Sequence, residues 1–306
     1  MLHLRVIAPA DLTDRVVPVL DDNPGATAIV LHRGVARSPA GDLVTADIAR
    51  EAASGILDSL EALGLRECGV ITLEDIDTSL SDAAERAEAE APGEGQDAVV
   101  WEQIQDRTHE ESTLSWVFLL FLSIATVIAG IGVLLDQPVL IVGAMVVGPE
   151  FGPLAGICVA VVTRRLEALR RSLRALLIGF PVAVAITLLL TLAGRASGLV
   201  HRDMLDRTRP LTNFISHPDA FSFIVAFLAA VAGILSLTAS KSGALIGVLI
   251  SVTTVPAAGN AAVAIAFGEL GAAGGSTLQL GLNLAGIIVA GTLTLLIQRR
   301  ISRHRG

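Results

Sequence analysis

The chain has 306 residues, of which 52% are hydrophobic and 17% are charged, and its mean hydropathy is +0.67. This composition predicts a membrane protein. The net charge of −8 is unevenly distributed: residues 1–112 hold 23 acidic and 8 basic residues, whereas residues 113–306 hold 7 acidic and 14 basic ones. The acidic first part argues against nucleic acid as a partner, because phosphate binding needs a basic surface.

The pattern of residues 1–76 predicts a small α+β domain. Its order of elements, β-α-β-β-α-β, is that of the ferredoxin-like arrangement, which hosts many functions and specifies none. The predicted strands cover 2–8, 26–33, 42–49 and 66–73, and the predicted helices cover 11–21 and 50–63, with Gly64 ending the second helix. His3 and His32 fall on separate strands; they are interpreted as surface histidines, with a metal pair as the alternative.

Residues 77–112 predict an acidic, helical linker, with an amphipathic helix over 97–112 that leads into the membrane. The first residues lack an apolar core of the length found in signal peptides, so we expect the N-terminus to stay in the cytoplasm. Cys68 and Cys158 lie in different halves of the chain and are interpreted as small apolar side chains. We expect no metal site and no cofactor.

Residues 113–306 predict a transmembrane domain with six apolar segments. The segments cover 114–135, 138–163, 172–194, 219–240, 242–268 and 277–297. The second and the fifth are interrupted near their middles, so the order helix, broken helix, helix occurs twice. Because each group has an odd number of crossings, the second group would be inverted relative to the first. The sequence therefore predicts a polytopic α-helical fold of two inverted three-segment repeats with two broken helices.

The interruptions are the candidate functional site. In the second segment, two prolines and two glycines surround Glu150, which predicts half-helices at about 138–147 and 153–163 with a carboxylate between them. Broken backbone inside a membrane is tolerated where protein or water surrounds it, and transporters bind solutes at such joints. Glu150 is interpreted as a solute-binding or proton-binding group, with a structural carboxylate that satisfies helix amides as the alternative. The predicted pore-lining residues are Gly148, Pro149, Glu150, Gly152, Pro153, Thr253, Thr254, Pro256, Gly259 and Asn260.

Arginine-rich stretches predict the topology. Residues 164–174 contain five arginines and the C-terminal tail contains four, and positive charge marks cytoplasmic loops. Six crossings place both stretches and the N-terminus in the cytoplasm; the loop 195–218 also carries four arginines and fits less well. Residues 164–174 also predict an amphipathic helix at the membrane surface that binds anionic lipid headgroups. Its headgroup-binding residues are Arg164, Arg165, Arg170, Arg171 and Arg174.

The run VGAMVVGPEFGPLAG, the repeated helix, broken helix, helix pattern and the N-terminal domain resemble the bacterial membrane family known as domain of unknown function 389. The resemblance covers roughly residues 110–300, and the GAM…GP..GP run is its most specific part. It implies a multi-pass protein of the bacterial inner membrane and names no substrate.

These patterns favour a transporter or channel for a small solute, acting at the broken-helix joints. The alternative is a membrane-anchored sensor or regulator whose ferredoxin-like domain binds a metabolite. No nucleophile and base pair or nucleotide loop is visible in the sequence, so we do not expect an enzyme. Glycines at small-xxx-small spacing and the edges of the predicted sheet indicate a homo-oligomer.

Overall fold

Two compact units make up the chain, and a computed structural model describes residues 1–76, 78–91, 99–206, 220–239 and 254–305 of it. The first unit contains Met1–Ile104 together with Gln298–Gly306, and the second contains Gln105–Ile297. The elements of the first unit are β1 (Leu2–Ala8), α1 (Ala10–Asp21), β2 (Ala26–Arg37), β3 (Ala40–Ile48), α2 (Arg50–Ala62), α3 (Leu65–Cys68), β4 (Val70–Asp75) and α4 (Asp82–Glu90).

The first unit is built on a four-stranded antiparallel sheet in the order β2-β3-β1-β4. Alternate residues of β1 explain the two faces of the sheet: Leu2, Leu4 and Val6 are fully buried, whereas His3 and Arg5 are not. The buried face packs against apolar residues from both α1 and α2. The observed element order is therefore the β-α-β-β-α-β order predicted from the sequence.

Two details of this unit differ from the sequence-based prediction. Residues 65–68 form a short helix instead of the start of the last strand, because Gly64 adopts a left-handed conformation and Leu65 turns into the core. The acidic helix α4 belongs to the compact unit, since it packs against β2 through the buried Ala84 and Ala87. The two histidines, for which a metal pair was the alternative, have different neighbours. His3 Nδ1 bonds Oδ1 of Asp47, a residue of β3, at 2.7 Å, whereas His32 of β2 lies opposite Leu43 of β3.

Residues from both ends of the chain meet in the first unit. The guanidinium of Arg299 lies over the ring of Trp101, with 5.8 Å from Cζ to the ring centroid. Arg50 donates hydrogen bonds to Asp75 Oδ1 at 2.8 Å and to Gln103 Oε1 at 3.0 Å. These bonds link the end of β4 and Gln103 to α2. The N-terminal sheet and residues 298–306 consequently belong to the same compact unit.

The second unit is helical. Its helices, with α5 and α13 running on into the first unit, are α5 (Trp101–Glu111), α6 (Trp116–Leu134), α7 (Pro138–Val147), α8 (Phe151–Thr163), α9 (Leu166–Ala196), α10 (Asp203–Asp206), α11 (Ala220–Thr238), α12 (Val255–Phe267) and α13 (Leu270–Arg305). Within the described ranges, α6, α9 and α13 are long and apolar enough to cross a membrane, and the pair α7–α8, bent by 53°, counts as a fourth candidate. Two shorter apolar helices, Phe223–Thr238 within α11 and Val255–Phe267 (α12), fall in the remaining predicted segments.

The half-helices α8 and α12 form the centre of this unit. Ten of the 13 residues of α8 and 12 of the 13 residues of α12 are buried, whereas the longer helices expose one side. A helix that is apolar and buried all round is a core helix. The long helices therefore surround α8 and α12.

The predicted surface helix over residues 164–174 is wrong. Only Arg164 and Arg165 lie between helices, and the following residues are the first turns of the 31-residue α9. No glycine or proline separates the arginines from the apolar stretch, so nothing stops the helix before Pro181, which α9 accommodates internally.

Candidate functional site

The joint between α7 and α8 consists of three residues. Gly148 ends α7 in an extended conformation, Pro149 follows, and Glu150 precedes the first residue of α8 with φ −70° and ψ −15°. Proline at this place removes a donor that a continuous helix would need, which explains the break. The predicted half-helices are therefore present, and the second begins at Phe151.

Glu150 is completely buried and bonds the other interrupted segment. Its Oε1 accepts a hydrogen bond from Thr254 Oγ1 at 2.9 Å, and Thr254 is also completely buried. The side chain of Glu150 makes no capping hydrogen bond to α8. The carboxylate is thus held by a hydroxyl from the second joint, and the interpretation of Glu150 as a cap for its own helix does not describe this geometry.

Two helix N-termini meet at this bond, because Glu150 precedes α8 and Thr254 precedes α12. Each N-terminus carries a positive partial charge of about half an elementary charge. Both half-helices therefore direct the positive ends of their dipoles at the joint.

The hydrogen bond between Thr254 and Glu150 lies level with the middle of α9. From the joint, α8 runs to the start of α9, where the amide of Arg165 donates to Ala160 O. From the same joint, α12 runs to the end of α9, where Arg195 donates to Ala266 O and covers the ring of Phe267 at 4.6 Å. The two half-helices have 13 residues, or about 20 Å each, against about 46 Å for α9. They consequently point in opposite directions from a common centre.

Other predicted residues of the first joint serve close packing. Gly152 lies against Glu111, so that a methyl group on Gly152 would overlap the side chain of Glu111. The carbonyl of Gly152 accepts a hydrogen bond from Ser112 Oγ at 3.2 Å. Pro153 is buried in the first turn of α8. These residues position α8, while Glu150 provides the chemical group.

At the second joint, too, some predicted residues serve packing and others provide polar groups. Pro256 is buried in the first turn of α12, and Gly259 packs against the backbone of Gly130 and Thr126 in α6. Asn260 is buried and its Nδ2 donates to Ser276 Oγ at 2.7 Å. Thr253 and the first half of segment 242–268 lie outside the described residues.

The five arginines predicted to bind lipid headgroups lie around the start of α9. Arg164 ends α8 in the left-handed conformation with φ +58°, and Arg165 precedes α9. Arg171 contacts Nδ1 of His109, and Arg170 and Arg174 are exposed on the first turns of α9. The cluster is therefore a basic end of a long helix.

Sequence reasoning missed a row of polar side chains on α13. Ser276, Gln279 and Asn283 are all buried, and their spacing of three and four residues places them on one helix face. Oε1 of Gln279 has no hydrogen-bond partner within the described part of the chain. The signal was available in the sequence, since amides at these intervals interrupt an otherwise apolar segment.

The comparisons with known proteins identify one family. Residues 145–289, from α7 into α13, match the family model described as domain of unknown function (DUF389). Neither the curated proteins nor the solved structures gave a match. The matched segment covers just under half of the chain, includes both predicted joints and confirms the resemblance predicted from the GAM…GP..GP run.

Proposed function

We propose that the protein is a transporter or channel that moves a small solute across a membrane, with its site at the two joints. The observation that supports this most is the buried hydrogen bond between Glu150 and Thr254, which joins the break between α7 and α8 to the N-terminus of α12 within an apolar bundle. A charged side chain within a membrane is costly, about 2.5–3.5 kcal/mol on insertion scales, and marks functional sites by default.

The proposal includes two inverted repeats of three segments. The helices α6, α8 and α9 match α11, α12 and α13 in spacing. Helices α8 and α9 begin at residues 151 and 166, α12 and α13 begin at residues 255 and 270, and α6 and α11 end at residues 134 and 238, in each case 104 positions apart. We call these the first set and the second set. Glu150 and Thr254 are also 104 positions apart, so their bond joins equivalent positions. Two half-helices that leave this bond in opposite directions are what an inversion would produce.

Contacts repeat with the same interval. A methyl group on Gly156 of α8 would lie 2.6 Å from Ser172 Oγ, and at the equivalent positions Asn260 of α12 bonds Ser276. The left-handed residues that end the two half-helices, Arg164 and Gly268, are likewise equivalent. The interval therefore extends from element starts to side-chain neighbours, which supports a common backbone frame.

The topology that we propose has six crossings with both termini in the cytoplasm of a bacterial cell. The membership of residues 298–306 in the N-terminal unit supports an even number of crossings. The exposed arginines that begin α9 support a cytoplasmic location for that end and a contact with anionic lipids. We further propose a homo-oligomer without enzymatic activity.

Solute flux into proteoliposomes tests the function. The purified protein is reconstituted, and uptake of labelled or osmotically active small solutes is compared for the wild type, Glu150→Gln and Glu150→Ala. We expect flux in the wild type and a loss of at least tenfold in Glu150→Ala. If Glu150→Gln retains flux and loses its pH dependence, the carboxylate couples transport to protons.

The matched control is Glu269→Gln, which removes an exposed carboxylate that pairs with Arg202 at 3.0 Å near the end of α12. This variant should transport like the wild type. Unchanged flux in both Glu150 variants would assign the carboxylate a structural role. Absence of all flux, combined with metabolite binding by the full-length protein, would favour the sensor or regulator alternative.

A further inference from the structure

The charges around the joint give a first indication of the solute. Within the described spanning helices, between their charged ends, Glu150 is the one charged side chain. The N-termini of α8 and α12 each supply about half a positive charge, which together equals in size the charge of one carboxylate. A joint with this composition has no large excess of either sign, and such a site suits an uncharged solute.

The polar row on α13 gives a second, independent indication. Gln279 is 2% exposed, and its Oε1 has no hydrogen-bond partner among the residues described. A buried carbonyl oxygen without a partner is costly, and a bound molecule that donates a hydrogen bond removes that cost. The Oε1 atom of Gln279 requires a hydrogen-bond donor, and an uncharged donor is sufficient.

The row lies between the joint and one end of the bundle. Asn260 is six residues, or about 9 Å, from Thr254 along α12, and it bonds Ser276 on the returning helix α13. Because α13 runs back from the turn at Gly268, Asn283 reaches the level of the Glu150–Thr254 bond seven residues after Ser276. Gln279 lies between these levels, so polar groups continue from the joint toward the end of α12.

In the first set, the positions that correspond to the polar row are apolar. The equivalents of Gln279 and Asn283 are Ala175 and Gly179, which offer no polar side chain. A methyl group on Gly179 would lie 2.8 Å from Phe118 and 2.9 Å from Leu122, so this position is filled by apolar packing. At these two pairs of equivalent positions, the polar side chains therefore belong to the second set.

We propose that the solute is small, uncharged and rich in hydrogen-bond donors, in the manner of an amide or a polyol, and that Gln279 accepts a hydrogen bond from it on the way to the Glu150–Thr254 joint. This inference rests on the proposed function and adds the solute class and one route. Asn260 and Asn283 supply further polar groups along that route.

Osmotic permeability of proteoliposomes tests the solute class. Shrinkage and reswelling are followed by stopped-flow light scattering with urea, acetamide and glycerol as uncharged probes, and ion flux is followed in parallel with potassium chloride. We expect a permeability to at least one uncharged probe that exceeds empty vesicles by tenfold or more, with no increase in ion flux. Ion flux without permeability to uncharged probes would overturn the solute class while the proposed transport function stands.

Replacement of Gln279 tests the route. Gln279→Met keeps the length of the side chain and removes the acceptor, and it should lower the permeability to uncharged probes at least fivefold. Thr294→Val is the matched control, because Thr294 is a buried polar residue of the same helix whose hydroxyl is bonded to Ala290 O at 2.9 Å. Unchanged permeability in Gln279→Met would overturn the role of this residue.

Two further measurements keep the test decisive. If Gln279→Met does not fold, Gln279→Leu is used, because it also removes the acceptor and has a shorter side chain. Unchanged permeability in Gln279→Leu would likewise overturn the role of Gln279. No flux of ions or uncharged probes in the wild type would instead refute the proposed function itself, and the inference with it.

Discussion

The first and second sets of helices share their spacing and differ in the side chains at equivalent positions. Helices α6 and α11 both have 19 residues, and α8 and α12 both have 13. Yet Glu150 is matched by Thr254, Gly156 by Asn260 and Arg164 by Gly268. In the repeat that we propose, the helix lengths agree while the chemical groups are distributed unequally between the sets.

The largest effect is expected where the two sets differ in how tightly a half-helix is packed. Gly259 of α12 corresponds to Ala155 of α8. A methyl group on Gly259 would lie 2.8 Å from the amide nitrogen of Gly130 and 2.9 Å from the carbonyl oxygen of Thr126, and backbone atoms cannot turn aside. Gly259→Ala should therefore lower the free energy of unfolding by about 3 kcal/mol. Unfolding in SDS, followed by circular dichroism, measures this loss.

Two controls accompany Gly259→Ala. Ala155→Gly makes the first set resemble the second and should cost only about 1 kcal/mol, the usual penalty for glycine in a helix. Gly281→Ala adds a methyl group on α13 where no atom of the described residues lies within 4 Å, and it should be neutral or slightly stabilising. Equal effects of Gly259→Ala and Gly281→Ala would contradict the close approach of α12 and α6.

An intermediate effect is expected for the bond that joins the sets. Thr254→Val removes the hydroxyl that donates to Glu150 and keeps the volume of the side chain. Because hydrogen bonds to charged groups contribute about 1.5–3 kcal/mol, Thr254→Val should destabilise the protein by about 2 kcal/mol. In a double-mutant cycle with Glu150→Gln, the two effects should not add, and the coupling energy should exceed about 1 kcal/mol. Additive effects would show that the two side chains do not interact.

The sequence revealed the joints, and the pattern of inverted repeats implied that they lie close together, but it did not indicate that Glu150 bonds Thr254. Pro149 and the glycines around it break a helix by local geometry, so the position of the first joint could be predicted from neighbouring residues alone. The bond between Glu150 and Thr254 joins residues 104 positions apart and depends on how the helices pack. The interval of 104 was also hidden, because equivalent positions share a backbone conformation more often than a residue type.

Sequence reasoning failed at two places for different reasons: it predicted a separate helix at the arginine-rich stretch, and it overlooked the amides of α13. Residues 164–174 looked like a separate surface helix because charge and hydrophobicity change sharply there, although nothing in the backbone chemistry ends a helix. Gln279 and Asn283 were passed over because average hydrophobicity hides isolated polar residues in an apolar segment. In the first part of the chain, strict alternation of apolar residues made the sheet predictable.

The smallest effect is expected at the ends of the half-helices, where the sets exchange arginine for glycine. Arg164 adopts φ +58°, which is unfavourable for a residue with a side chain, whereas Gly268 adopts φ +79° without strain. Arg164→Gly should stabilise the protein by about 1 kcal/mol, and Gly268→Ala should destabilise it by a similar amount. Thermal unfolding in detergent measures both changes.

Arg165→Ala is the control for the lost charge, since Arg165 has an ordinary extended conformation. It should leave the stability close to that of the wild type. A gain in Arg165→Ala equal to that in Arg164→Gly would assign the effect to charge repulsion between arginines instead of backbone strain.

The contact between Glu150 and Thr254 also bears on the ancestry of the chain. In a dimer of two identical three-segment proteins, related by the proposed inversion, this position would face its own copy across the symmetry axis. Two buried glutamates would then repel each other, and two threonines would provide no charge. Only two copies that differ in sequence can place a carboxylate on one side and a hydroxyl on the other. Divergence of the two copies would thus have been a precondition for this pair, and relatives that assemble from identical single repeats, where they exist, should lack a carboxylate at the axis.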